Sequence, residues 1–256
     1  MIETTTLSAD VQAQLVDDET VARFVVSGYH VMQPELPAGF HERVAAQLDA
    51  LERNPGDGIL DAVPDLQQIW EHPQVRGFLA SLLGHDYAMH SHRHWHCTPP
   101  GSAGGQWHQD GRNQTHHQMP TILGFYYPQA VTPANGPTVI LPGSHQRNCP
   151  TDRMGGRMSY RDQVVLTGAA GTVAFAHYDI WHTASPNRSQ AARHMLKFLF
   201  KRQSPPAGPS WASTPESRAV AQSVIGGPRV VACSQSDYYK ELGLRRLMWS
   251  YLQGES

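Results

Sequence analysis

The spacing of apolar residues changes near residue 85, and that change constrains the fold more than any other feature. Before residue 85 the spacing is helical, predicting helices over residues 18–28, 40–51 and 66–83, with Asp18 capping the first and Gly84 closing the third. From Tyr87 onward the period is two, predicting strands at residues 87–97, 121–127, 138–141, 172–175, 181–184 and 193–200. Helices followed by short strands favour a mainly β fold in which helices flank an antiparallel sandwich or barrel.

The chain after Arg202 has a different character. A segment rich in proline and glycine at residues 204–209 is typical of a linker, and a last helix is predicted over residues 237–252. We therefore expect one main domain at residues 1–204 and a C-terminal extension at residues 205–256. The extension is expected to pack on the same domain or to lie at a subunit interface, where its helix would form a homodimer.

Composition excludes several classes of protein. A formal net charge of -2 over 256 residues gives no electrostatic reason to expect nucleic acid or an anionic membrane as partner. Three scattered cysteines are too few for a disulfide framework or a zinc cluster. The first ten residues lack a signal-peptide pattern, and no apolar run reaches the length of a membrane span. The sequence therefore predicts a soluble, cytoplasmic protein.

A short string, His108-Gln109-Asp110, carries the first chemical signal. On an extended segment residues i and i+2 point the same way, so His108 and Asp110 can hold one ion. An imidazole and a carboxylate supply two corners of a 2-His-1-carboxylate facial triad, which leaves coordination positions open. Such a string alone also occurs in ordinary surface turns.

Two residues further along the chain give this string a context. His182 ends an apolar strand, and Arg193 opens another strand eleven positions later. A guanidinium that faces a barrel interior is costly unless it meets an anion, and a dicarboxylate cosubstrate would form a bidentate pair with it. His177 is the rival to His182 as distal ligand, and Arg188, in a predicted turn, is the rival to Arg193.

Together these strings resemble the phytanoyl-CoA dioxygenase family of Fe(II)- and 2-oxoglutarate-dependent oxygenases. The matching pieces are His108-Gln109-Asp110, the string NGPTVILPGSH at residues 135–145, and His182 followed by Pro186-Asn187-Arg188-Ser189 and Arg193. The resemblance covers about residues 18 to 202. It implies a double-stranded β-helix, or jelly-roll, core with flanking helices. It also implies Fe(II) on His108, Asp110 and His182, 2-oxoglutarate with its far carboxylate on Arg193, and O2 as cosubstrate.

The chain departs from the family pattern at two positions. The family often has a serine two residues after the distal histidine, where this chain has Ala184, so Thr183 or Ser185 is expected to supply the hydroxyl. The Gly-Asp pair that the family has before the distal strand is Gly171-Thr172 here. Neither position is a metal ligand.

A row of histidines, His90, His92, His94 and His96, alternates along the first long predicted strand. The row is compatible with a second metal site, a substrate surface or a polar barrel lining, of which we favour a polar lining for the substrate. The candidate substrate-binding residues are His92, His94, Arg112 and Lys197. Lys197 shares the Arg193 face of its strand, although a lysine there can also extend to solvent.

The resemblance implies a non-haem dioxygenase that hydroxylates an unactivated C–H bond of a small polar or anionic metabolite and releases succinate and CO2. Related outcomes are desaturation and ring closure. A halogenase of this fold would have a small residue in place of Asp110, and a cupin-like metal enzyme would not need Arg193. A catalytically silent metal-binding or regulatory protein of the same fold is the alternative outside enzymes.

Overall fold

Two antiparallel sheets form the centre of the molecule. The structure, a computed structural model, describes residues 7–111, 116–147, 156, 158–230 and 234–255. Its strands are β1 Tyr29–Met32, β2 Ala88–Thr98, β3 Thr121–Tyr127, β4 Thr138–Leu141, β5 Val164–Val165, β6 Thr172–His177, β7 Trp181–Ala184 and β8 Arg193–Lys201. The larger sheet has the order β1-β6-β3-β8-β2 and the smaller one β5-β4-β7. The mainly β, jelly-roll fold predicted from the sequence is confirmed, and the short strands β1 and β5 are additions to it.

Helices cover the outer face of the larger sheet. The helices of the described residues are α1 Ala9–Gln12, α2 Asp18–Ser27, α3 Phe40–Asp49, α4 Ile59–Ala62, α5 Leu66–Glu71, α6 Pro73–Leu83, α7 Pro215–Ile225 and α8 Gln235–Leu252, with single 3-10 turns at Gly56–Gly58 and Ser144–Gln146. Of these, α1 packs on α6, and α7 and α8 pack on α2. Aromatic stacking joins the two layers: the Phe78 ring lies 4.6 Å from that of Phe175, and the Trp70 ring 4.7 Å from that of Phe198. In β3 a Cβ at Gly124 would lie 2.8 Å from Trp70, so glycine lets the helix approach the sheet.

The single helix predicted over residues 66–83 is wrong, because the chain forms two helices there. The break falls at His72, whose backbone is extended, with φ -56° and ψ 133°. A proline disfavours the helical conformation of the residue before it and is well tolerated at the first position of a helix. Pro73 therefore ends α5 and begins α6. Gly84 closes α6 as predicted, with a φ of 89°.

Asp18 was predicted to cap α2, but Asp17 does so. The Asp17 carboxylate accepts a hydrogen bond from the Thr20 amide at 2.8 Å. The Asp18 carboxylate is fully buried and accepts a hydrogen bond from Trp211 Nε1 at 2.7 Å. Further donors to it are the Ser213 and Ser217 hydroxyls and the Thr214 amide. A buried carboxylate needs such partners, and here the residues after 204 supply them.

The C-terminal extension packs against the same core as the helices of the first third. Trp211, Ile225, Met248, Trp249 and Leu252 belong to the apolar cluster that contains Phe24 and Phe78. None of the helices in the described part of the chain has both the length and the apolar character that crossing a membrane requires.

Candidate metal and cosubstrate site

A single antiparallel bridge brings two of the predicted ligands together. The backbone amides of His108 and His182 each donate to the carbonyl of the other residue at 3.0 Å. Their rings lie 4.3 Å apart, and Asp110, two residues after His108, turns its carboxylate toward them. One ligand atom from each of the three residues lies within 4.8 Å of the other two. No other group of three histidine, cysteine or acidic residues among the described residues converges in this way.

Backbone carbonyls fix the orientation of both imidazoles. His108 Nδ1 lies 2.9 Å from the Gln106 carbonyl and His182 Nδ1 lies 3.1 Å from the Ile180 carbonyl. A carbonyl only accepts, so each Nδ1 carries the hydrogen and each Nε2 keeps its lone pair. Burial lowers the pKa of His182 to about 4, which leaves its ring neutral at pH 7. Two oriented imidazoles and one carboxylate fit a divalent metal ion of the facial-triad class.

The Asp110 carboxyl remains ionised although it is partly buried. Burial raises its pKa, but positive charge on the neighbouring His182 ring at acidic pH and the Lys197 ammonium outweigh burial and hold the pKa of Asp110 below its usual range. Lys197 Nζ donates to Asp110 Oδ2 at 2.8 Å. The same oxygen lies 3.6 Å from His182 Nε2.

Asp179, which the sequence did not single out, fastens the segment that carries Asp110. Its backbone carbonyl accepts from Gln109 Nε2 at 2.6 Å, and its carboxylate lies 3.1 Å from His116 Nε2. A Cβ at Gly111 would lie 1.7 Å from Asp179 Oδ1, so only glycine fits between them. The sole sequence signal for this contact is the glycine after Asp110, which is too common to be informative.

Arg193 lies between the two sheets with part of its guanidinium unpaired. The residue is 1% exposed, and burial lowers the pKa of its guanidinium. Nη2 donates to the carbonyl of Gly136, and the guanidinium lies 5.8 Å from the centre of the Tyr127 ring. Nε and Nη1 are buried and find no partner among the described residues. A buried cation with two free donors fits the far carboxylate of 2-oxoglutarate.

The hydroxyls near Arg193 come from other strands than predicted. Thr183 alternates with His182 along β7 and shares its face with Val139, on the side away from the metal ligands. Its predicted role in place of the family's serine is therefore wrong, and Ser185 lies beyond the end of β7. Ala184 pairs instead with Thr138, whose Oγ1 accepts from the Tyr127 hydroxyl at 2.8 Å.

The histidine row lies on β2, the edge strand of the larger sheet next to β8. His94 is the register partner of Lys197, and residues paired in this way share a face of the sheet. His94 Nε2 lies 2.5 Å from His92 Nε2, and His92 Nδ1 lies 3.0 Å from Asp57 Oδ1. A bulge between Met89 and Arg93 interrupts the register near His90. His96 stacks on His94 at 5.7 Å, and Arg112 lies outside the described residues.

The rival residues occupy other positions. His177 is 1% exposed, accepts the Asp179 amide at Nδ1 and lies 4.7 Å from the ring of His145. His145 itself lies 3.1 Å from the Val25 carbonyl, which agrees with a structural role. Arg188 is exposed. Neither His177 nor Arg188 thus lies where the metal or a buried anion would be held.

Comparison with known proteins extends this picture to the whole fold. Residues 13–195 match the family described as Phytanoyl-CoA dioxygenase (PhyH). A probable alpha-ketoglutarate-dependent hypophosphite dioxygenase of Stutzerimonas stutzeri is 28% identical over 138 residues. The match covers 48% of this chain and 48% of that protein, so the chain spans about half the length of the curated relative that it matches.

Solved structures share the fold at low sequence identity. HygX from Streptomyces hygroscopicus is 16% identical at a TM-score of 0.62, covering 88% of this chain and 99% of HygX. EctD from S. alaskensis, solved with 2-oxoglutarate and 5-hydroxyectoine, is 18% identical at 0.59, covering 85% and 88%. The carbocyclase SnoK from nogalamycin biosynthesis is 19% identical at 0.59, covering 74% and 85%. By its sequence match over residues 13–195, the chain belongs to the phytanoyl-CoA dioxygenase family of Fe(II)- and 2-oxoglutarate-dependent oxygenases.

Proposed function

We propose that this chain hydroxylates an unactivated C–H bond of a small polar or anionic metabolite, with Fe(II) held by His108, Asp110 and His182. The observation that carries the proposal is the convergence of these three side chains, with both imidazoles oriented by backbone carbonyls. When bound, iron and 2-oxoglutarate supply O2 activation: one oxygen atom enters the C–H bond, the other enters succinate, and CO2 leaves.

The residues of the chain bind and orient the reactants. Arg193 is proposed to bind the far carboxylate of 2-oxoglutarate through its guanidinium, because two of its three nitrogens, Nε and Nη1, have no partner among the described residues. Tyr127 and Thr138, hydrogen-bonded to each other beside it, are proposed to replace the missing serine at position 184. The apolar walls formed by Phe125 and Ile140 exclude water from the reacting atoms.

The proposed substrate class rests on the polar residues at the mouth of the site. His92, His94 and Lys197 lie on or beside the inner face of the larger sheet, where a long acyl chain would find few apolar contacts. The curated relative is named for hypophosphite, a small oxyanion. Epimerisation and ring closure are alternative outcomes, since proteins of this fold include the epimerase SnoN and the carbocyclase SnoK.

The proposal is tested first without turnover. Anaerobic protein given Fe(II) and 2-oxoglutarate is expected to develop the visible charge-transfer band of an iron-chelated keto acid, and His182→Ala to abolish it. His177→Ala is the matched control, because it removes a buried histidine that we do not assign to the metal. A band that survives His182→Ala but not His177→Ala refutes the ligand assignment.

The second test measures turnover. Under air, purified protein supplied with Fe(II) and 2-oxoglutarate is expected to release succinate when a panel of small polar and anionic metabolites is added, and Asp110→Ala is expected to abolish the release. The facial triad loses its only carboxylate in that variant. Turnover like that of the wild type in the Asp110→Ala protein contradicts the proposal, and a chromophore without turnover on any candidate favours the silent regulatory alternative.

A further inference from the structure

Lys197 is a buried cation that is hydrogen-bonded to a proposed metal ligand, Asp110. Its residue is 8% exposed, and its one hydrogen-bond partner among the described residues is Asp110 Oδ2, at 2.8 Å. That oxygen also lies 3.6 Å from His182 Nε2, so it is the oxygen that faces the metal position. A metal ion and the Lys197 ammonium therefore compete for the same carboxylate oxygen.

With metal and 2-oxoglutarate bound, the site would carry one positive charge that no negative group balances. A divalent metal, Lys197 and Arg193 bring four positive charges, while Asp110 and a 2-oxoglutarate dianion bring three negative ones. Burial and the nearby Lys197 ammonium lower the pKa of His94, so this ring is neutral at pH 7 and adds no charge. An uncompensated buried cation is costly, and a bound anion removes that cost.

The position of Lys197 suits a substrate contact. It lies four residues along β8 from Arg193 on the same face, roughly 13 Å away along the strand at about 3.3 Å per residue. Lys197 thus lies beside the metal ligand Asp110 and away from the proposed cosubstrate anchor, next to His94 and His92. The imidazole of His94, opposite Lys197 in the register, can add a neutral hydrogen bond to an oxyanion.

We propose that Lys197 is the receptor for the negatively charged group of the substrate, a small carboxylate or oxyanion with one negative charge. Asp110 holds the Lys197 ammonium until the metal takes its oxygen, and the released ammonium then binds the substrate anion. This inference rests on the proposed function and adds the charge of the substrate to it. Anion binding and metal binding are coupled in this arrangement, so each strengthens the other.

The experiment uses acetate and hypophosphite as probes, with acetamide as the neutral counterpart of acetate. Anaerobic protein loaded with Fe(II) and 2-oxoglutarate is titrated with each probe, and binding is followed by the shift of the charge-transfer band and by calorimetry. Both anions are expected to bind, and acetamide is expected to bind at least about tenfold more weakly than acetate. Metal-free protein is expected to bind the anions at least about tenfold more weakly than loaded protein, because Asp110 still holds Lys197.

Lys197→Met removes the charge and keeps most of the side-chain volume. Anion affinity of the loaded protein is expected to fall roughly 10- to 100-fold, since a charge-assisted contact is lost. Fe(II) affinity, titrated separately, is expected to hold or rise, because the competitor for the Asp110 oxygen is gone. Lys201→Met, at the half-exposed end of the same strand, is the matched control and should change neither quantity.

Two results overturn the inference. Unchanged anion affinity in Lys197→Met shows that the anions bind elsewhere, for example to the metal itself. A loss of Fe(II) affinity of about tenfold or more in this variant shows that Lys197 serves to position Asp110. Failure of the proposed function is distinct, since the wild-type protein would then develop no charge-transfer band at all.

Discussion

Arg193 combines burial and incomplete pairing more sharply than any other residue of the proposed site. Its Nη2 is fixed by the Gly136 carbonyl, while Nε and Nη1 face the interior without a described partner. Gly136 has a φ of 78°, a conformation that favours glycine, so the carbonyl that holds Arg193 is itself set by the turn before β4. The guanidinium is thus oriented before any anion binds.

At this scale the first prediction concerns Arg193→Ala. The variant is expected to bind 2-oxoglutarate roughly 10- to 1,000-fold more weakly, because charge-assisted hydrogen bonds of a buried anion are lost. Arg193→Lys should recover only part of the loss, since an ammonium lacks the planar fork of a guanidinium. The measurement is the 2-oxoglutarate titration of the charge-transfer band. Arg188→Ala, at an exposed turn, is the control, and a large loss there with none at Arg193 would transfer the anchor role.

The second prediction concerns two buried histidines. Burial lowers the pKa of both His145 and His177 from 6.5 to about 3. Below pH 6.5 the unfolded chain takes up protons that the folded state does not, so the free energy of unfolding falls as the pH drops toward 3. Each residue contributes a loss of about 1.4 kcal/mol per pH unit in that window, or roughly 2 kcal/mol by pH 5.

Urea unfolding at about pH 7 and about pH 5 checks this prediction. His177→Asn keeps an acceptor for the Asp179 amide and removes the titrating ring, so the difference in unfolding free energy between the two pH values should shrink. The same pH dependence in His177→Asn as in the wild type would show that His177 does not titrate as described.

At the scale of elements, three residues near Asp110 lie against the turn between β6 and β7. Gln109, Gly111 and His116 all contact Asp179, which lies three residues before His182. The two ligand-bearing segments are therefore joined by the backbone bridge and by this carboxylate. A shift of the Asp179 turn moves one ligand relative to the others.

The third prediction is that Gly111→Ala weakens Fe(II) binding about tenfold or more without unfolding the protein. Its Cβ would lie 1.7 Å from Asp179 Oδ1, so the segment must move away from the turn. The measurement is an anaerobic Fe(II) titration together with the thermal unfolding midpoint. Gly58→Ala, where no atom lies within 4 Å of the new Cβ, is the matched control. Unchanged Fe(II) affinity in Gly111→Ala would show that the segment adjusts freely.

The sequence predicted the elements whose signals are local. Strands β3, β4 and β7 have the predicted bounds because alternation and flanking turns define them within a few residues. The helix break at Pro73 was also a local signal, but the continuous apolar periodicity of residues 66–83 outweighed it in the prediction. The grouping of His108, Asp110 and His182 could be predicted because their strings resemble a known family.

Contacts that depend on register between distant segments could not be predicted. The pair Tyr127 and Thr138 lies beside Arg193 only because β3 and β4 belong to facing sheets, and nothing near either residue indicates this. Asp18 illustrates the same limit: its position favours a helix cap, while its real partners lie almost 200 residues away. Local propensity gave way there to tertiary contacts.

At the scale of the whole molecule, the C-terminal extension ties the two ends of the chain together. α7 packs on α2, and α8 reaches the turn after β4 through Glu241. Glu241 is 1% exposed and accepts from Arg147 Nη2 at 2.9 Å and from Arg245 Nη2 at 2.6 Å. The buried face of α8 is thus used within the chain, while Leu247 on the same helix is 54% exposed. Dimer formation through this helix stays a prediction.

The fourth prediction is that Glu241→Ala lowers the free energy of unfolding by about 3–5 kcal/mol, because Arg245 would remain buried without its counter-ion. Denaturant unfolding measures the change. Lys240→Ala, a neighbour on α8 with an exposed side chain, should cost less than about 0.5 kcal/mol. A small effect at Glu241 would show that Arg245 is satisfied by the Gly227 and Pro228 carbonyls that it also contacts.

The half-paired guanidinium of Arg193 has a consequence for the lifetime of the protein in a cell. A buried cation that lacks part of its hydrogen bonds raises the free energy of the folded state, and a ligand that binds only the folded state lowers it again. Proteolysis of transiently opened protein follows that balance. We therefore expect degradation to slow as the concentration of the dicarboxylate rises, which limited proteolysis in the absence of metal and O2 would show as a longer half-life.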